Sequence, residues 1–80
     1  MPYDSDRIDD AVLALLTLTA HQEDEFGARA WKGHDWDALN RLHEKGLLFD
    51  PVSKSKSVVM TPEGLARGRA LFDRLFARSD

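Results

Sequence analysis

Asp35-Trp36-Asp37-Ala38-Leu39-Asn40-Arg41-Leu42-His43-Glu44-Lys45-Gly46 runs directly into Leu47-Leu48-Phe49, and this junction decides the fold. Asp35 is a helix N-cap residue, and Gly46 stands where a left-handed residue closes a helix, with Lys45 in the last turn facing the negative end of the dipole. Between them Trp36, Leu39, Leu42 and His43 form the expected buried stripe. Leu47–Phe49 and Ser57–Met60 then read as short apolar strands joined by the polar connection Asp50-Pro51-Val52-Ser53-Lys54-Ser55-Lys56. Asp-Pro opens a turn readily, and alternating Ser and Lys keeps its tip wet. Thr61-Pro62-Glu63 caps and starts a final helix whose apolar face is Leu65, Gly68, Leu71, Phe72, Leu75 and Phe76.

Upstream, Ile8, Val12, Leu15, Leu16 and Thr19 recur at helical spacing behind Ser5 or Asp6 as N-cap, predicting a core helix over about residues 6–21. Asp9 and Asp10 fall in its first turn, where carboxylates complement the helix dipole. Residues 22–34 are harder to read. Phe26, Arg29 and Ala30 suggest a helical turn or two ending at Gly33, although Gly27 in its middle costs about 1 kcal/mol relative to Ala.

The whole chain of 80 residues is read as one domain, 1–80, with a small core. At 42% hydrophobic and 31% charged residues it has the composition of a folded globular protein. It has no cysteine, which excludes disulfides and thiolate metal sites. The longest apolar run, Ala11–Leu16, is too short to span a bilayer, and acids precede it where a signal peptide carries bases. A cytoplasmic protein without a membrane partner is the expectation.

Net charge is −3, distributed as −5 over residues 1–30 and +2 over residues 31–80. Its sign counts against a non-specific nucleic-acid binder. His21, His34 and His43 match no zinc spacing, and no nucleophile, phosphate loop or dinucleotide fingerprint is present. The expectation is therefore a non-enzymatic protein with no catalytic residue, metal or cofactor.

The residues Leu39-Asn40-Arg41-Leu42-His43-Glu44-Lys45-Gly46-Leu47-Leu48, then Asp50-Pro51, Lys56-Ser57-Val58-Val59 and Thr61-Pro62-Glu63-Gly64, resemble the winged-helix half of MarR-like and PadR-like bacterial repressors. The longer run from Ala30-Trp31-Lys32-Gly33-His34 to Gly46 looks like a small bacterial family classed as a domain of unknown function, which implies no activity. Together these imply an α+β, winged-helix-like domain in the order α-α-α-β-β-α, with a short or absent second helix and a two-stranded wing. A helix, a glycine turn and a second helix would make a helix-turn-helix.

In such repressors the recognition helix meets DNA through its N-terminal residues, which correspond here to His34, Asp35, Trp36, Asp37, Asn40 and Arg41. Two acids at that end repel phosphates, and Asp reads few bases. The leading expectation is accordingly a protein-interaction or regulatory adaptor. The alternative is a DNA-binding transcriptional regulator using Asn40, Arg41, Lys45, Lys54 and Lys56, and a small metal-dependent enzyme is a remote third. Lys54 and Lys56 serve either as phosphate contacts or as a solvated turn. Trp31 and Trp36 are expected to clamp the Gly33 corner from within the core, or, if exposed, to anchor a partner. Leu71, Phe72, Leu75 and Phe76 suggest a homodimer through the terminal helices.

Overall fold

Asp4, one residue earlier than expected, caps the first helix by accepting from the Asp6 and Arg7 N–H groups. The computed structural model describes residues 3–78, and in it this helix, α1, spans Ser5–Leu16 and tightens into a 3-10 turn at Thr17–Thr19. The strands β1 (His21–Asp24) and β2 (Gly27–Trp31) follow, then α2 (Trp36–Glu44), β3 (Ser57–Met60) and α3 (Pro62–Phe76). The architecture is α+β: three helices and a three-stranded antiparallel sheet in the order β1-β2-β3.

The expected helical turns within residues 22–34 are replaced by a hairpin. Gly27 has φ of +129°, which no right-handed helix accommodates, and Asp24 Oδ1 accepts the Phe26 N–H at 2.8 Å to fold the tip. Beyond it, Ala28 and Ala30 alternate with Arg29 and Trp31, a period of two that sends the alanines inward and the larger residues out. Phe26 is 70% exposed at the tip.

Nor does β3 form a two-stranded wing with Leu47–Phe49. Its full partner is β2, in the register Ala28↔Met60, Arg29↔Val59, Ala30↔Val58 and Trp31↔Ser57. The segment after α2 supplies one bridge, Leu48↔Met60, supported by Phe49 N–H donating to Val59 O and Thr61 N–H to Leu47 O. A strand therefore precedes α2 where a helix-turn-helix requires a helix.

The helix ends follow the local rules. Asp35 Oδ2 accepts the Ala38 N–H at 3.1 Å, and Thr61 Oγ1 the Gly64 N–H at 2.9 Å. Gly46, at φ +77°, turns the chain out of α2. Leu13, Leu16, Leu39, Leu42, Leu48 and Met60 are fully buried and form the centre of the core with Ala28, Ala30 and Val58. The helices cover only the alanine-bearing face of the sheet. Gly64 and Gly68 bring α3 close to its neighbours, Gly64 against the Leu47 backbone and Gly68 against Thr17 and the Leu13 carbonyl.

Candidate interaction surfaces

Arg41 and Lys45, which the DNA-binding alternative would turn to nucleic acid, are turned onto α1. The Asp9 carboxylate, with no solvent exposure, accepts Arg41 Nε at 3.0 and 2.8 Å, Arg41 Nη2 at 2.8 Å and Lys45 Nζ at 3.0 Å. Lys45 also reaches the exposed Asp6 at 3.2 Å. Burial raises the Asp9 carboxyl, but the hydrogen bonds and charges of Arg41 and Lys45 outweigh it and hold the group below its ordinary value. Their bonds to Asp9 in turn raise both cations. The network ties α2 to α1, and it was not foreseen because the sequence reading puts Asp9 in the first helical turn, where an acid is ordinarily solvated; with α1 starting at Ser5, Asp9 lies beyond that turn and is buried.

Asn40 is exposed at the surface of α2. Lys54 and Lys56 are exposed on the loop before β3, and neither makes an ion pair with any described residue. That loop is held instead by Lys32, whose ammonium donates to Pro51 O at 2.8 Å and to Ser53 O and Oγ at 3.1 Å each. Lys32 also lies 5.6 Å from the centre of the Trp36 ring, within cation–π range.

Neither tryptophan belongs to the core. Trp31 is 53% exposed and Trp36 49%. Strand alternation puts Trp31 on the open face of the sheet, whereas Lys32, the next residue, turns the other way towards Trp36 and the loop. The two indoles thus belong to different patches. Trp31 cannot turn inward because Ala28 and Ala30 take the inward positions, and Trp36 opens α2 beside the partly buried Lys32 chain.

On the open sheet face one cross-strand row runs His21, Arg29, Val59, Phe49, following the pairings His21↔Arg29 and Arg29↔Val59 and the bond from Phe49 N–H to Val59 O. Trp31 lies in the next row with its ring 4.8 Å from that of His21. Arg29 Nη1 donates to Ser57 Oγ at 2.8 Å. Its guanidinium has no carboxylate partner among the described residues. A shallow depression beside it is bordered by Asp24, Phe26 and Val59.

A second apolar surface follows the α1–α3 seam. Ile8, Leu15 and Leu18, the first two expected in the core, are exposed, with Ala11 between them completing a three-four-three spacing along α1 and into the 3-10 turn that follows it. Alongside lie Phe72, partly buried, and Leu75 and Phe76, both exposed; the rings of Phe72 and Phe76 are 5.3 Å apart. One groove along the seam joins Ile8 and Ala11 to Leu75 and Phe76, and another joins Leu18 to Phe72. Leu71, named with these as an interface residue, is buried in the core. Ile8 and Leu15 were misassigned because α1 is apolar on more than one side, and spacing alone does not say which side α3 covers.

Among the described residues no three His, Cys, Asp or Glu are grouped to hold a metal, and no helix is long and apolar enough to cross a membrane. His21 and His43 each use Nδ1–H on a backbone carbonyl, Thr19 O at 2.7 Å and Leu48 O at 3.0 Å.

Comparison with known proteins finds a family model described as "Domain of unknown function (DUF6429)", which matches residues 4–78. The chain is similar to "Uncharacterized protein y4hR" of Sinorhizobium fredii (strain NBRC 101917 / NGR234), at 60% identity over 78 residues covering 98% of this chain and 100% of the relative. No solved structure matches it.

Proposed function

Because the chain belongs to the DUF6429 family, whose description carries no activity, we propose a role from its surfaces: a non-enzymatic protein-interaction module, a regulatory adaptor that pairs with a second copy of itself through α1 and α3. One observation carries this reading. The exposed apolar residues at α1 and α3 line two grooves, which meet where the Phe72 and Phe76 rings lie 5.3 Å apart, rather than standing as scattered single side chains.

A second copy suits that seam. The spacing of Ile8, Ala11, Leu15 and Leu18 is the spacing with which one helix packs on another. Both charge signs lie along the edges, Arg7 and Asp10 on α1 with Asp73 and Arg74 on α3. A two-fold axis would therefore allow acid to meet base while the apolar strip meets itself. A domain this small also gains more than a large one from burying further apolar area.

Light scattering at tens of micromolar is expected to give twice the 9.0 kDa chain mass. Leu18→Asp, at a residue 65% exposed in the single chain, should restore the mass of one chain with an unchanged circular dichroism spectrum. A wild-type protein of one-chain mass would dismiss the dimer.

A DNA-binding regulator, built as the winged-helix resemblance implies, is the second reading. Its support is the exposure of Asn40 and the absence of ion pairs from Lys54 and Lys56 to any described residue. Arg41 and Lys45 are committed to Asp9, which leaves α2 few groups to read a groove. On this reading, random duplex shifts in a gel at low salt, and Lys54→Ala with Lys56→Ala lowers the salt slope by about 2.

A further inference from the structure

The open face of the sheet has a composition that the seam does not share. Its apolar surface is aromatic and β-branched: Trp31, Phe49 and Val59, with Phe26 at the edge of the adjoining depression. Within it stands the Arg29 guanidinium, which among the described residues makes one hydrogen bond to a neutral hydroxyl and none to a carboxylate. Tryptophan and arginine are the side chains most enriched where protein partners are gripped. An exposed arginine needs no partner for its own stability, but its remaining N–H groups are aligned beside apolar surface and are free to bind a carboxylate there.

We propose that this face captures a partner polypeptide presenting a carboxylate beside an aromatic or aliphatic side chain. The proposal rests on the reading of the protein as an interaction module and names the chemistry of what it engages. The partner's carboxylate takes the free N–H groups of Arg29. Its apolar neighbour covers Trp31 or enters the depression between Phe26 and Val59. Asp24 borders that depression and is tied through Oδ1 to the Phe26 N–H. Its charge confines the partner's acid to the Arg29 and Trp31 side.

A polypeptide is favoured over a nucleic-acid strand by charge. A phosphodiester chain brings an anion at every nucleotide and needs a line of cations. Arg29 is the one Lys or Arg in the paired positions of this face, and Asp24 and Glu25 stand at the hairpin end. Addition of a partner strand at the β1 edge is disfavoured as well, because that strand is irregular between His21 and Asp24 and Gln22 has φ of +52°. Side-chain capture on the open face is the remaining mode.

Panning a random dodecapeptide library against the intact protein tests this. The expected result is enrichment of peptides with Asp or Glu next to Phe, Trp, Leu or Ile, whose binding falls about thirtyfold in Trp31→Ala and in Arg29→Gln. Both positions are exposed, so the variants keep the fold, which circular dichroism verifies. Replacing the acid in an enriched peptide by its amide should weaken binding to wild type and make no difference to Arg29→Gln. Three results overturn the proposal: no enrichment, enriched peptides indifferent to both substitutions, or binding of oligothymidylate in competition with the peptides. The mass of the same preparation separates the two readings. A dimer that enriches no such peptide sinks the partner assignment alone, while a monomer that enriches none sinks the interaction module with it.

Discussion

Gly27→Ala is expected to destabilise the protein by about 3 kcal/mol or more, through two costs that act together. At φ of +129° an alanine is strained, and its Cβ would overlap the Met60 carbonyl where β2 passes β3. Backbone on both sides is fixed by the ladder Ala28↔Met60 to Trp31↔Ser57, so neither strand yields without losing pairs. A chain of 80 residues has a total stability of roughly 4–12 kcal/mol. The substitution therefore removes a quarter or more of it, and the midpoint of thermal unfolding should fall by at least roughly 12 °C. Gly33→Ala is the matched control: its Cβ would meet nothing within 4 Å, and its effect should stay within about 0.5 kcal/mol. Equal stability of the two variants would contradict the placement of the hairpin beneath Met60.

Asp9→Asn carries the second large effect, a loss of about 2–3 kcal/mol at neutral pH. The amide cannot accept all the bonds that Arg41 and Lys45 donate, and its own N–H group would face two cations. The loss is smaller than for a sealed ion pair because the Arg41 and Lys45 side chains are 32% and 36% exposed and are free to turn to water.

The sign of the pH dependence follows from the lowered Asp9 carboxyl. In the unfolded chain this group titrates near its ordinary value of about 3.9. Its stabilising contribution is complete above that value and disappears as pH falls through the lower, folded-state value. Wild type should therefore lose stability in acid more steeply than Asp9→Asn, and the two unfolding curves should converge once pH has fallen through the folded-state value. Denaturant melts from neutral to acid pH test this; a constant difference at every pH would mean that the Asp9 charge does no stabilising. Glu23 is also lowered, by its hydrogen bond to Arg69. Both its side chain and that of Arg69 are about half exposed, so water screens the pair and its share of the acid limb is small.

Each end of the seam and of the sheet was legible to a different degree. Leu75 and Phe76 are readable as unpartnered because they lie near the end of a helix already supplied with Leu65 and Leu71 for the core. Ile8, Leu15 and Leu18 are not, since α1 carries apolar residues on several sides and only the position of α3 separates the covered from the bare. Trp31 was read with Trp36 as a core clamp on the Gly33 corner, or as a partner anchor if exposed. The alternation Gly27-Ala28-Arg29-Ala30-Trp31 held the better signal, with small residues at the inward positions and large ones between them.

The amino-acid order by itself determined the helix termini: Asp35 and Thr61 as N-caps, Pro62 in the first turn of α3, and Gly46 ending α2. These signals act within a turn or so of the chain, through one side chain and the backbone groups beside it, so they need no partner from elsewhere. What only the tertiary structure decided was everything that joins distant residues. β3 pairs with β2 across some thirty positions rather than with its near neighbour Leu47–Phe49. Asp9 is buried under two cations from α2, and Trp31 is left on a face that no helix covers. Such choices are competitions between segments for the same inward surface, and that competition is resolved only when all of them pack at once.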